Sequence, residues 1–177
     1  MSVKEEHRSL LFSIRRSIRY HNRRRMFFDR LNIVSNALSV IFGSTTFFAL
    51  LPAIELQCLA IGAAAMVTII STINMVVGSV RAARLHSDLA RRFIELEKKL
   101  VADGAPNKKL LSDITQERLD IEADEPPALI VLDAICHNEL MRSMGYKEER
   151  MLRIGPFQRL LAQIVDYRRH TIKEITA

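Results

Sequence analysis

Between Arg30 and Arg81 the chain carries fifty residues with a single charged side chain, Glu55. That one stretch constrains the fold more than any other feature. An aqueous helix needs a polar face, and two helices that are apolar all round must be covered either by much more protein or by lipid. A chain of 177 residues has little left over to bury two such helices, so a soluble bundle is the weaker reading.

The apolar stretch divides at Pro52. Leu31 to Leu51 forms an uncharged run of 21 residues, and Leu56 to Val80 a second of 25. At about 1.5 Å rise per residue, each is long enough to cross about 30 Å of hydrocarbon. Only Pro52, Ala53, Ile54 and Glu55 join them, which forces antiparallel neighbours with both flanks on one side. Both flanks are basic. Arg23, Arg24, Arg25 and Arg30 precede the hairpin, and Arg81, Arg84, Arg91 and Arg92 follow it. The positive-inside rule then places both termini in the cytoplasm. The expected fold class is all-α: an integral membrane protein with a two-helix transmembrane hairpin and cytoplasmic amphipathic or coiled-coil helices at either end.

Net charge follows the same division. Residues 1–30 carry +6, residues 31–80 carry −1 and residues 81–177 carry +1. A basic arm can bind phosphates nonspecifically, but arginines beside an apolar span have a simpler origin in topology, so nucleic acid is not the expected partner. The N-terminal residues lack the pattern of a cleavable signal, so the spans are expected to stay in the mature protein. Cys58 and Cys136 suggest no disulfide framework.

Three regions are therefore expected: a basic amphipathic helix over 1–30, the hairpin over 31–80 and a cytoplasmic helical domain over 81–177. In the arm, Leu10, Leu11, Ile14 and Ile18, with Tyr20 and Phe27, fall on an apolar side. The second span is expected to run without a break into a helix to about Ala102. There Leu85, Leu89, Phe93, Leu96 and Leu100 form a narrow coiled-coil-like seam suited to oligomerisation or partner contacts. Gly104 and Pro106 end that helix. Further helices are expected over Lys108 to about Ile121, from Ala128 to about Met144 with Gly145 as its cap, and from Pro156 to about Ile175. The last would gather Leu160, Leu161, Ile164, Val165 and Ile172 on one side.

Polar residues survive inside the spans in a pattern. Asn32, Ser35, Asn36, Ser39, Gly43 and Thr46 recur at spacings of three, four and seven, hence on one stripe of the first span. Thr68, Ser71 and Thr72, with Asn74, occupy the second. Close helix packing through small and hydroxyl residues accounts for such stripes. So does the lining of a pore built from several hairpins. Both imply self-association.

The tail's densest reactive cluster is Asp133, Cys136, His137 and Glu139. It lacks the ligand number of a zinc site and a base placed across space for a catalytic thiol. Asp133, His137 and Glu139 are instead expected to make polar contacts with another helix or with the arginines near the membrane. His86 and Asp88 are read as interfacial or packing residues. With no phosphate loop, nucleophile elbow or metalloprotease helix, no enzyme and no cofactor is expected.

Taken in order, the arm with Tyr20, His21 and RRRMFFDR, the paired spans, ARLHSDLARRFIELEKKL and IEADEPPALIVLDAICHNEL resemble the SLATT family, two-transmembrane effectors that associate with SMODS and SLOG proteins. The resemblance covers roughly residues 14–145 and is most distinctive at Glu125-Pro126-Pro127 and Cys136-His137-Asn138-Glu139. It implies an effector of bacterial antiviral defence that opens a pore in, or otherwise disrupts, the inner membrane. Its trigger would be a nucleotide-signalling protein, a nucleotide sensor or a reverse transcriptase. The alternative is a noncatalytic membrane-anchored scaffold or regulator that recruits a cytoplasmic partner.

Overall fold

The computed structural model describes residues 2–43, 54–102 and 107–172, of which the side chains of residues 42, 43 and 54–60 are not described. Thr46 and Pro52 lie outside the described residues, as do Asp103 to Pro106. Among the described residues the protein is all-helical, without strands. Helix α1 spans Val3–Gly43, α2 Ile54–Val77, α3 Ser79–Ala102, α4 Lys108–Ala123, α5 Ile130–Ser143 and α6 Pro156–Leu161. Short 3₁₀ turns lie between α5 and α6 at Glu148–Arg150 and after α6 at Arg169–Thr171. The chain forms two compact units: one joins Met1–Arg24 to His86–Ala177, and the other is Arg25–Leu85.

In the first unit, α1 is covered on two sides. Leu10 and Ile14 pack with Leu89, Phe93, Leu96 and Leu100 of α3 and with Leu111, Ile114 and Ile121 of α4. Tyr20 packs with Val131, Leu132, Ala134 and Cys136 of α5, and with Ile154 and Ala162 beyond it. The leucine seam of α3 is thus filled from within the chain: Phe93 and Leu96 have no exposed surface. Leu85, in contrast, is exposed.

The arginines of α1 meet acids of the tail. Arg15 pairs with Glu97 at 2.7 Å, Arg16 with Asp133 at 3.2 Å and Arg23 with Glu139. These pairs are half-exposed, so each contributes little to stability. Their larger effect is to fix which face of α1 meets α3 and α5. Asp133 and Glu139 thus meet arginines of α1 within the same chain. His137 packs edge-on against Phe12 with ring centroids 5.1 Å apart.

Helix ends follow from local chemistry. Asn107 Oδ1 accepts the Leu110 amide at 2.8 Å and caps α4. Gly145, at φ +77°, closes α5: its amide donates to Arg142 O, and the Tyr146 amide donates to Met141 O. This reciprocal pair satisfies the last carbonyls in the way a left-handed glycine permits.

Two expectations are corrected. The long helix from Pro156 ends at Leu161. Asp166 is drawn away to accept the Ile130 and Val131 amides, 3.0 Å each, where α5 begins without a side-chain cap of its own. Gln158 accepts the Gly155 amide and donates to the carbonyls of Tyr167 and Arg168 and to Thr171 Oγ1, folding the segment back on itself. Leu160, Ile164 and Val165 are exposed as a result. The second apolar helix also does not run unbroken into the leucine seam. Gly78 adopts φ +62°, and the axes of Ile61–Val77 and Ser79–Ala102 bend by 43° there.

In the second unit the apolar side chains are turned outward: Ile33, Val34, Val40 and Ile41 of α1, and Ile61, Met66, Ile69, Ile73, Met75 and Val76 of α2, are all exposed. Among the described residues no single helix is both long and apolar enough to cross a membrane; the bent pair at Gly78 satisfies length and composition together.

The first unit's core makes a direct prediction. Phe93→Ala should lower unfolding free energy by about 3–5 kcal/mol, as for large aromatic deletions in packed cores. Leu119→Ala, at an exposed position of α4, should change it by about 0.5 kcal/mol or less. Chemical denaturation followed by circular dichroism measures both.

Candidate functional site: the polar faces of the hairpin and a buried histidine pair

The polar stripe of α1 separates into two sets when α2 is laid against it. Asn74 Nδ2 donates to Asn32 Oδ1 at 3.3 Å, and the hydroxyls of Ser39 and Ser71 lie 2.9 Å apart. Residue numbers rise on one helix as they fall on the other, so α1 and α2 are antiparallel here. Ser39 Oγ donates to Ser35 O at 2.9 Å, leaving Ser71 as the donor between the two hydroxyls. Ser35 is buried. Asn32, Ser35, Ser39, Ser71 and Asn74 therefore hold the hairpin together.

Asn36, Thr68 and Thr72 are different: all three are exposed. At about 100° per residue, Asn36 lies about 60° round α1 from Ser39, and Thr68 about 60° round α2 from Ser71, in the same sense. Equal rotations on antiparallel helices point to the same side of the pair. Thr72 continues round α2 in that direction. The outcome is a polar edge along one side of an otherwise apolar hairpin, partly satisfied by a Thr68 Oγ1 bond to Ala64 O at 2.9 Å. Gly43, the last of the stripe's described residues, ends α1.

A second constellation escaped the sequence reading. His21 of α1 and His86 of α3, 65 residues apart, are buried with their Nδ1 atoms 2.9 Å from each other. His21 Nε2 lies 3.0 Å from Glu125 Oε1, beyond the end of α4. Phe93 stacks on the His21 ring at 5.6 Å, and Tyr20 sits edge-on at 5.3 Å while its hydroxyl accepts the Leu129 amide. Because His21 Nε2 faces a carboxylate, it is a donor. Only one proton can occupy the Nδ1–Nδ1 contact. Either ring can hold that proton, and it is the surroundings of His86 that disfavour a charge on it. Burial, then the neighbouring His21, and then Arg24 push its pKa down to about 4. Only spacing in three dimensions brings these residues together, so no sequence periodicity marks them.

Cys136 has no exposed surface, and burial pushes its thiol up to about 12. It is an unreactive core residue at neutral pH. Burial also raises the Asp133 carboxyl, with the Arg16 guanidinium acting in the opposite direction. Among the described residues, no group of three or more His, Cys, Asp and Glu side chains is arranged to hold a metal ion.

No protein-family model, curated protein or solved structure matches this chain.

The histidine pair generates a pH prediction. The native site binds the His86 proton only near pH 4, while an unfolded histidine takes it up near 6.5, so the unfolded state holds more protons in that window. Stability from this site is fully present above pH 6.5 and is lost as pH falls toward 4. A His86→Asn variant should lose less stability than the parent over this interval in thermal melts; identical losses would contradict the assignment.

Proposed function

We propose that this chain is a pore-forming or membrane-disrupting effector of a bacterial defence system. It sits in the inner membrane with both termini cytoplasmic and acts as a homo-oligomer that discharges the membrane potential when a partner triggers it. The observation that carries this reading is the exposed polar edge of Asn36, Thr68 and Thr72, bordered by exposed Ile33, Val40, Ile69 and Ile73.

An outward apolar surface of this extent is unsuited to water. An asparagine amide is equally unsuited to hydrocarbon unless it finds a partner. A bilayer around the apolar faces, with neighbouring copies or a water-filled path along the polar edge, meets both requirements. Two helices cannot enclose a path alone, so several hairpins must contribute. Any ion path would dissipate about 2.3 kcal/mol per charge for each 100 mV. The resemblance to SLATT proteins supports the effector role and a nucleotide-signalling, nucleotide-sensing or reverse-transcriptase partner as trigger.

A membrane-anchored scaffold is the second reading, favoured by the exposed Phe157, Leu160 and Ile164 beyond α5. On that reading, removing the tail loses a partner while the potential stays intact.

Bacteria induced to make the protein should depolarise, as read by a potential-sensitive dye. The triple substitution Asn36→Leu, Thr68→Val and Thr72→Val should abolish depolarisation at equal membrane abundance. Substitution of exposed Ile33 by leucine should leave it intact. Undiminished depolarisation by the triple variant would rule out the polar edge as the working surface.

A further inference from the structure

The bend at Gly78 opens a cleft of about 480 Å³ within the second unit, lined by Asn32, Asn74, Gly78, Ser79, Arg81 and Arg84 together with the apolar Met75 and Val80. Its construction begins with the glycine. The Gly78 amide donates to Asn74 O and Met75 O, ending α2, and Gly78 O accepts the Ala82 amide, starting α3. A left-handed residue between two helices makes Ser79 the first residue of a new helix, whose leading amides precede the first bond of the α3 ladder. A side chain at position 78 would meet nothing within 4 Å, so this side of the bend is open.

Two further features distinguish the cleft from a bare helix start. Ser79 is only 2% exposed, yet its hydroxyl has no hydrogen-bond partner among the described residues. Arg81 and Arg84 are exposed, and no ion pair with either occurs among the described residues. This contrasts with Arg15, Arg16 and Arg23, each of which meets an acid of the tail. The remaining polar atom is Asn74 Oδ1, buried without a partner. Turning the Asn32 and Asn74 amides over together keeps their mutual bond and replaces that acceptor with a donor.

We propose that this cleft binds a phosphate group, held by the leading amides and hydroxyl of α3 and by the guanidinium groups of Arg81 and Arg84. Helix starts favour anions through their free amides and dipole, and arginine adds bidentate hydrogen bonds to phosphate oxygens. Exposed Met75 and Val80 on the rim suit an acyl chain beside the phosphate. The same donors would also take the phosphate of a soluble nucleotide. The lipid source rests on the membrane reading above, whereas the nucleotide source does not.

The test uses the full chain in phosphatidylcholine nanodiscs. One arm titrates short-chain phosphatidylglycerol and the other ATP, each followed by native mass spectrometry. Flotation with phosphatidylcholine vesicles checks membrane insertion separately. Saturable binding of one equivalent is expected in at least one arm, and the arm that saturates identifies the source. Ser79→Ala, which leaves charge unchanged, should weaken binding at least threefold, and Arg84→Gln at least tenfold. Arg150→Gln, at an exposed arginine far along the chain, controls for net charge. Binding that does not saturate in either arm, or that is equally weakened by Arg150→Gln and Arg84→Gln, or that is unaffected by Ser79→Ala, overturns the proposal.

Discussion

The contacts along the first part of α1 are the constraint on which the first unit depends. Ile14 and Tyr20 belong to different apolar clusters, one with α3 and α4 and the other with α5 and the segment after it. One helix serves both, and the arginines between its apolar positions pair with Glu97, Asp133 and Glu139. The +6 charge of residues 1–30 is therefore not a free basic arm. Much of it is matched inside the fold.

At the heart of that unit, α1 and α3 meet through His21 and His86, with Glu125 behind them. A buried polar contact of this kind is demanding, because each donor must face an acceptor once water is excluded. Here His21 Nε2 donates to the Glu125 carboxylate, and a single proton lies between the two Nδ1 atoms. Shifting the register of α1 against α3 by one residue would leave buried ring nitrogens without partners. The pair therefore fixes register where apolar packing alone would tolerate sliding.

Much of this was legible in the sequence, for identifiable reasons. The spacing of Leu89, Phe93 and Leu96 gave the buried face of α3, and Gly145 gave the end of α5. The pairing of Asp133 and Glu139 with arginines was readable from charge and position. What the seam packs against was not, because periodicity marks a face without naming its partner; α1 and α4 fill it. Gly78 was hidden by its setting, since a glycine within an apolar run signals a bend only through its backbone angle. The tail helix failed because Asp166 turns to the start of α5, while Gln158 bonds to carbonyls further along its own segment and folds it back. The stripe from Asn32 to Ser39 was visible as a set, but its division required the register of α2, through Ser71 and Asn74.

That division is the centre of the account: Ser35 is buried in the hairpin, while Asn36, one residue on, is exposed on the side proposed to meet other copies. Disulfide trapping in native membranes tests it most directly, in a background with Cys58 and Cys136 replaced by alanine. Asn36→Cys should form a covalent dimer on mild oxidation, and Ser35→Cys should not. Equal trapping at both positions, or at Ser35→Cys alone, would contradict the assignment of faces.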